Sequence, residues 1–180
     1  MGKLILFTGG CRSGKSRIGL AYADKKYSRK IFLATSEALD DEMKKRIKCH
    51  RKKRGRDWQT AEEPTDLNKV FEKFGANAQV ILIDCVTLWL SNLLMKKWSA
   101  EKIFKYVDEI LKKIKCLPSD VIFITNEVGS GIVPDNKLAR DFRDITGTVN
   151  QKIAAYADAV IFMVSGIPVC IKGNIDVKGY

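Results

Sequence analysis

Eight consecutive residues restrict this chain to a narrow set of folds. Gly9-Gly10-Cys11-Arg12-Ser13-Gly14-Lys15-Ser16 matches G-x-x-x-x-G-K-[ST] at every position. The apolar run Leu4-Ile5-Leu6-Phe7 before it reads as a buried parallel strand, and a helix is expected from about Lys15 to Tyr27. Glycines let the backbone curl until successive N–H groups point inward at phosphate, and the following helix adds the positive end of its dipole. Lys15 then reaches the β and γ phosphates, and the Ser16 hydroxyl can ligate Mg²⁺. A strand–loop–helix of this kind requires an α/β architecture around it.

The rest of the chain supplies one. Strands are expected at Ile31–Ala34, Val80–Asp84, Val121–Thr125, Ala159–Val164 and Pro168–Lys172. Helices are expected at Asp40–Arg54, Thr65–Phe74, Ser99–Lys115 and Asp135–Tyr156. Val86–Met95 is too apolar for an exposed helix and reads as buried or as a subunit contact. Gly55–Pro64 reads as a loop and the tail after Gly173 as loose. Helices alternating with apolar strands give a three-layer α/β fold with a mostly parallel central sheet, as one domain over residues 1–180.

Composition narrows the function. No apolar run reaches membrane-span length, and the start of the chain does not read as a signal peptide. Five cysteines, odd in number and without C-x-x-C spacing, argue against disulfides and structural zinc and for a cytoplasmic protein. The net charge of +11 raises nucleic-acid binding as one class. The lysines, however, fall in pairs along helices, at 25–26, 44–45, 96–97 and 112–113. Only 44–56 is concentrated, and it lacks the glycine–aromatic pattern of an RNA-binding sheet.

Outside the loop, Asp84 ends its strand and would sit beside the phosphate loop if that strand neighboured the first. Glu127, just past the fourth strand, points to the same sheet edge, where ligands bind in open α/β folds. Catalytic base, substrate contact and structural cap are all open to it. Arg46, Arg140 and Arg143 are further phosphate candidates. His50, the single histidine, follows Leu39, Met43 and Ile47 along one helix face. As an ordinary residue near a helix end it needs no function; as a nucleophile it would attack the α-phosphate of a nucleoside triphosphate. Periodicity does not separate these readings.

Longer strings do. Thr8–Ser16 is followed by Ala34-Thr35-Ser36, Leu39–Met43, Arg46-Ile47-x-x-His50 and Trp58-x-Thr60-x-Glu62. Then come Asp84-Cys85-x-Thr87, Ser91-Asn92-Leu93, Thr125–Pro134, Arg140-x-Phe142-Arg143-Asp144 and Gly147-x-Val149-Asn150-Gln151. Together they resemble the bifunctional adenosylcobinamide kinase/adenosylcobinamide-phosphate guanylyltransferase family of cobalamin biosynthesis. The resemblance implies a P-loop NTPase fold of the RecA-like branch. It implies phosphorylation of adenosylcobinamide by ATP or GTP, then transfer of GMP from GTP by way of His50. It implies a nucleotide site of Gly9, Gly10, Cys11, Arg12, Ser13, Gly14, Lys15, Ser16, Thr35, Ser36, Glu62 and Asp84. Lys15, Asp84, Glu127 and His50 would be catalytic, with Mg²⁺ on Ser16 and Asp84. It also implies a homo-oligomer, with a trimer as the candidate size, and no nucleic-acid partner. Two departures stand out: Asp84 where some relatives carry Glu, and Cys49 where some carry a second histidine. A single-activity P-loop kinase, with His50 a bystander, is the alternative.

Overall fold

The computed structural model describes residues 1–37 and 57–177. Seven strands form one sheet: β1 (Leu4–Gly9), β2 (Lys30–Ala34), β3 (Trp58–Glu62), β4 (Val80–Asp84), β5 (Asp120–Ile124), β6 (Ala159–Val164) and β7 (Ile167–Lys172). Their order is β3-β2-β4-β5-β1-β6-β7, with every pair parallel except the β6–β7 hairpin. Five helices are described: α1 (Lys15–Lys26), α2 (Leu67–Phe74), α3 (Val86–Met95), α4 (Ala100–Lys115) and α5 (Lys137–Tyr156). Ser99 and Asn136 cap α4 and α5 by accepting from Lys102 N and Ala139 N, which trims both expected helices at their starts.

Side chains alternate across each strand, so the sheet has two cores. Leu4, Leu6, Leu33, Ile81, Ile83, Val121 and Phe123 face α2, α3, α4 and α5 and pack on Trp89, Leu90, Ile110, Val149 and Ile153. Ile5, Phe7, Phe32, Leu82, Ile122, Ile124 and Ile161 face the other way, onto Ile18, Tyr22 and Ala23 of α1. This is the three-layer P-loop NTPase arrangement expected. The buried reading of Val86–Met95 holds, since Val86, Trp89, Leu90 and Leu93 are essentially inaccessible.

Three expectations are corrected. The stretch read as a loop contains β3. Its sequence, Trp-Gln-Thr-Ala-Glu, carries one large apolar residue, because an edge strand pairs through its backbone to a single neighbour and leaves side chains in solvent. Trp58 anchors it: the ring stacks edge-on to Phe32 and its Nε1 donates to Asp24 Oδ1 at 2.8 Å. The tail past Gly173 is not loose over its first residues, since Val177 is buried in the α1-side core with Ile175 beside it. Lastly, the strand ending in Asp84 is not beside β1, because β5 lies between them. The helix expected at Asp40–Arg54, with Arg46 and His50, lies outside the described residues.

Candidate nucleotide site at the carboxyl edge of the sheet

Parallel strands bring their C-terminal ends to one edge, and register fixes what meets there. Glu62, Ala34, Asp84, Ile124, Phe7 and Ile161 form one rung across the sheet. Residues on a rung point to one face, and Ala34, Ile124 and Phe7 pack on the α1 side. Asp84 therefore points to the α1 face despite the intervening β5. One residue further, past the strand ends, Thr125 turns to Asn150 of α5 and Thr35 turns to Cys85.

β1 ends at Gly9, with φ +146°, where a Cβ would lie 2.6 Å from the Met163 carbonyl oxygen. Only glycine fits this turn out of the sheet. Arg12 (φ 57°) and Gly14 (φ 93°) complete the curl in the left-handed region. Gly166 N–H donates to Ser13 C=O at 3.1 Å, so the β6–β7 turn braces the loop from outside. Inside it, Lys15 Nζ donates to Gly10 C=O at 2.6 Å and reaches Ser13 Oγ at 3.5 Å. Lys15 is only 6% exposed, and its burial lowers its pKa, against a smaller opposing pull from Cys11, Cys85 and Asp84. Of these pulls the one from Asp84 is the smallest. Gly14 caps α1 without a side-chain bond, which leaves the positive end of the helix available to an anion. Gly19, where a Cβ would meet Ile124 Cδ1 at 2.7 Å, lets α1 lie close on the sheet.

The tips of β4 and β5 are built differently. Thr35 Oγ1 donates to Cys85 C=O at 2.8 Å and accepts from Cys85 N–H at 2.9 Å. Asn92 Nδ2 donates to Thr35 C=O at 2.7 Å and to Pro64 C=O at 2.9 Å. Cys85 Sγ contacts Thr87 Oγ1 at 3.1 Å, and Thr87 Oγ1 accepts from Asn126 Nδ2 at 2.8 Å. Asn150 closes the set, accepting from Thr125 Oγ1 at 2.8 Å and donating to Asn126 C=O at 3.1 Å. Burial, with Asp84 adjacent, pushes the Cys85 thiol up to about 11.

Of the residues expected at the site, Gly9 to Ser16, Ser36, Glu62 and Asp84 reach this edge. Thr35 reaches it too, but its hydroxyl is engaged by Cys85. Glu127 N–H donates to Gly9 C=O at 2.9 Å, which sets it against the phosphate loop, while Glu127 Oε1 accepts from Gly129 N–H at 2.7 Å. Arg140 is turned to the Pro134 and Asp135 carbonyls, and Arg143 to Asp144. His50 is not among the described residues. Sequence reasoning assigned no role to Thr87, Asn92, Asn126 or Asn150. One signal was present: Asn92 interrupts the apolar run Val86–Met95, and a polar side chain there must find partners.

No helix among the described residues is long and apolar enough to cross a membrane. Residues 5–171 match the family model described as cobinamide kinase / cobinamide phosphate guanyltransferase. The chain is 41% identical over 181 residues to the bifunctional adenosylcobalamin biosynthesis protein CobU of Salmonella typhimurium, covering 94% of this chain and 99% of that protein. It is 40% identical over 182 residues to CobU of Escherichia coli, with the same coverage. It is 36% identical over 169 residues to CobP of Pseudomonas aeruginosa, covering 94% and 97%. With a phosphate loop at one end of the match and β7 at the other, the chain belongs to the cobinamide kinase / cobinamide phosphate guanyltransferase family.

Proposed function

We propose that this chain carries out both reactions in its family's description, acting as a cytoplasmic homo-oligomer. It phosphorylates adenosylcobinamide with ATP or GTP and then transfers GMP from GTP to the product. The observation that carries this reading is the family match across residues 5–171, which takes in every element of the nucleotide edge.

In the first reaction the substrate hydroxyl oxygen attacks the γ-phosphorus and a nucleoside diphosphate leaves. Lys15 and the N–H groups of the phosphate loop hold the phosphoryl oxygens, and charge neutralisation of this kind is most of phosphoryl-transfer catalysis. Glu127, held against Gly9, takes the hydroxyl proton. The residues fit Mg²⁺: the Ser16 hydroxyl and the Asp84 carboxylate are hard oxygen donors. Ser16 and Asp84 would hold Mg²⁺ there, which would supply charge neutralisation to the bound phosphates.

In the second reaction the His50 imidazole attacks the α-phosphorus of GTP and pyrophosphate leaves. A phosphate oxygen of the cobinamide phosphate then displaces the imidazole, forming adenosylcobinamide-GDP and freeing His50. The test is incubation with α-labelled GTP and Mg²⁺. An acid-labile, alkali-stable GMP adduct, lost in His50→Asn while the kinase reaction survives, is the expected result. Kinase turnover without any adduct reduces the chain to a single-activity kinase.

A further inference from the structure

We infer that Thr35 and Asn92 are positioning residues for Asp84: they fix its carboxylate on the α1 face of the sheet without touching the nucleotide. This rests on the reading of Asp84 as the acid of the nucleotide site.

Thr35 is fully buried, and its N–H donates to Asp84 C=O at 3.4 Å. Its hydroxyl has a single proton, and that proton is used on Cys85 C=O, while a lone pair is used on Cys85 N–H. A hydroxyl so committed binds a phosphate only by abandoning Cys85. What it does instead is clamp the residue directly after Asp84 on both sides of its backbone. Rotation of Cys85 would swing the carboxylate, and the clamp opposes that rotation.

Asn92 prevents the clamp itself from drifting. It lies seven residues beyond Cys85, about two turns along α3. Both Nδ2 protons are spent, one on the Thr35 carbonyl and one on the Pro64 carbonyl just past β3. The path from Cys85 along α3 to Asn92, across to Thr35, and back to Cys85 is a closed ring. The Pro64 bond ties the exit from β3, next to Glu62, into the same ring. Three strand ends, β2, β3 and β4, are therefore held in one arrangement by two side chains. A rigid support of this kind matters most for a ligand that must be placed accurately, since displacement by about 1 Å can cost ~10²-fold in rate.

The experiment compares wild type, Thr35→Val, Thr35→Ser and Asn92→Ala, using Mn²⁺ with a non-hydrolysable GTP analogue. Bound Mn²⁺ is read by electron paramagnetic resonance, and folded fraction by circular dichroism. Loss of a group that orients a metal ligand typically weakens metal binding about 10- to 100-fold. Thr35→Val and Asn92→Ala should weaken Mn²⁺ uptake by at least about tenfold, while Asn92→Ala leaves metal-free affinity for the analogue unchanged. Thr35→Ser restores the hydroxyl and should restore uptake. If Thr35→Val is too unstable to measure, Asn92→Ala reads the same ring from its half-buried end. Mn²⁺ uptake equal to wild type in the folded fraction of either variant overturns the inference. Because no corrinoid is present, a failure of cobinamide phosphorylation in the wild type would count against the proposed function and leave this result standing.

Discussion

The phosphate loop and the tips of β4 and β5 share one edge of one sheet, yet they handle polar groups in opposite ways. The loop leaves part of itself open: Gly14 caps α1 with no side-chain bond, Gly10 has open space around it, and Cys11 and Arg12 are exposed, while Lys15 Nζ rests on Gly10 C=O. It also holds Lys15 buried, where desolvation works against the charge. The strand tips bond their groups to each other, from Asn92 through Thr35 and Cys85 to Thr87, Asn126, Thr125 and Asn150. A ligand binds most readily where groups lie open, and it is placed accurately only if something else is rigid. The loop supplies the first condition and the tips supply the second.

That contrast makes opposite predictions for substitutions in the two places. The largest effect should come from Lys15→Ala. Loss of one preorganised charge on the transferring phosphoryl group should lower kinase kcat by about 10²–10³-fold. The nucleotide-free protein should melt no lower than wild type, because a buried, desolvated cation has been removed. A large fall in melting temperature would show that Lys15 is structural and would break the comparison.

Next comes Asn150→Leu, which should do the reverse. It strands the Thr125 hydroxyl and the Asn126 carbonyl in a buried setting, at about 1–3 kcal/mol of stability for a lost buried partner. Urea unfolding should register the loss, while affinity for GTP in the folded fraction stays near wild type. An unchanged unfolding midpoint would mean that the network is ornamental.

These two regions were unequally legible in the sequence. The loop was readable because its chemistry is local: glycines, a lysine and a serine at fixed spacing, between a strand and a helix, allow little else. The network was not, because its bonds join residues 35, 85, 87, 92, 126 and 150, which meet only once the strand order is known. The error over β1 and the Asp84 strand has the same origin. Both strands are plain apolar runs, and nothing in either records that β5 lies between them. β3 escaped for a different reason: an edge strand needs no apolar alternation, so Gln59, Thr60 and Glu62 looked like loop. His50 was legible only through resemblance, since periodicity left it between ordinary helix residue and nucleophile.

Alkaline titration separates the regions by sign. The folded Lys15 gives up its proton below the ordinary 10.5, so between its lowered pKa and 10.5 the unfolded chain binds the extra proton and stability rises with pH. Cys85 behaves oppositely. Its folded pKa of about 11 exceeds the ordinary 9.0, so from pH 9.0 upward the unfolded chain loses a proton that the fold retains, and stability falls. Tyr27 and Tyr106, both raised by burial and by hydrogen bonds to Asp120 and Asp66, add to the fall above 10.0. Cys85→Ala should therefore flatten the decline just above pH 9, by at most about 1.4 kcal/mol per pH unit. Lys15→Ala should steepen it. Identical slopes in both variants and wild type would remove the electrostatic half of the contrast.

The smallest effect concerns two thiols. Cys85 is buried and bonded to Thr87, whereas Cys11 sits exposed on the phosphate loop. Cys11→Ser should change stability by no more than about 0.5 kcal/mol, as for an exposed position without committed partners. Its value lies in labelling. Cys116 and Cys170 are also exposed, so a thiol reagent will modify several sites, and peptide mapping must resolve Cys11 from them. Saturating GTP should slow modification of Cys11 and leave Cys116 and Cys170 unchanged, because a nucleotide seated in the loop covers the first and not the others. Cys85 should stay unmodified with or without nucleotide until the protein unfolds. Equal labelling of Cys11 in both states would mean that the nucleotide does not sit where the uncommitted donors are, and the division of labour between loop and tips would lose its premise.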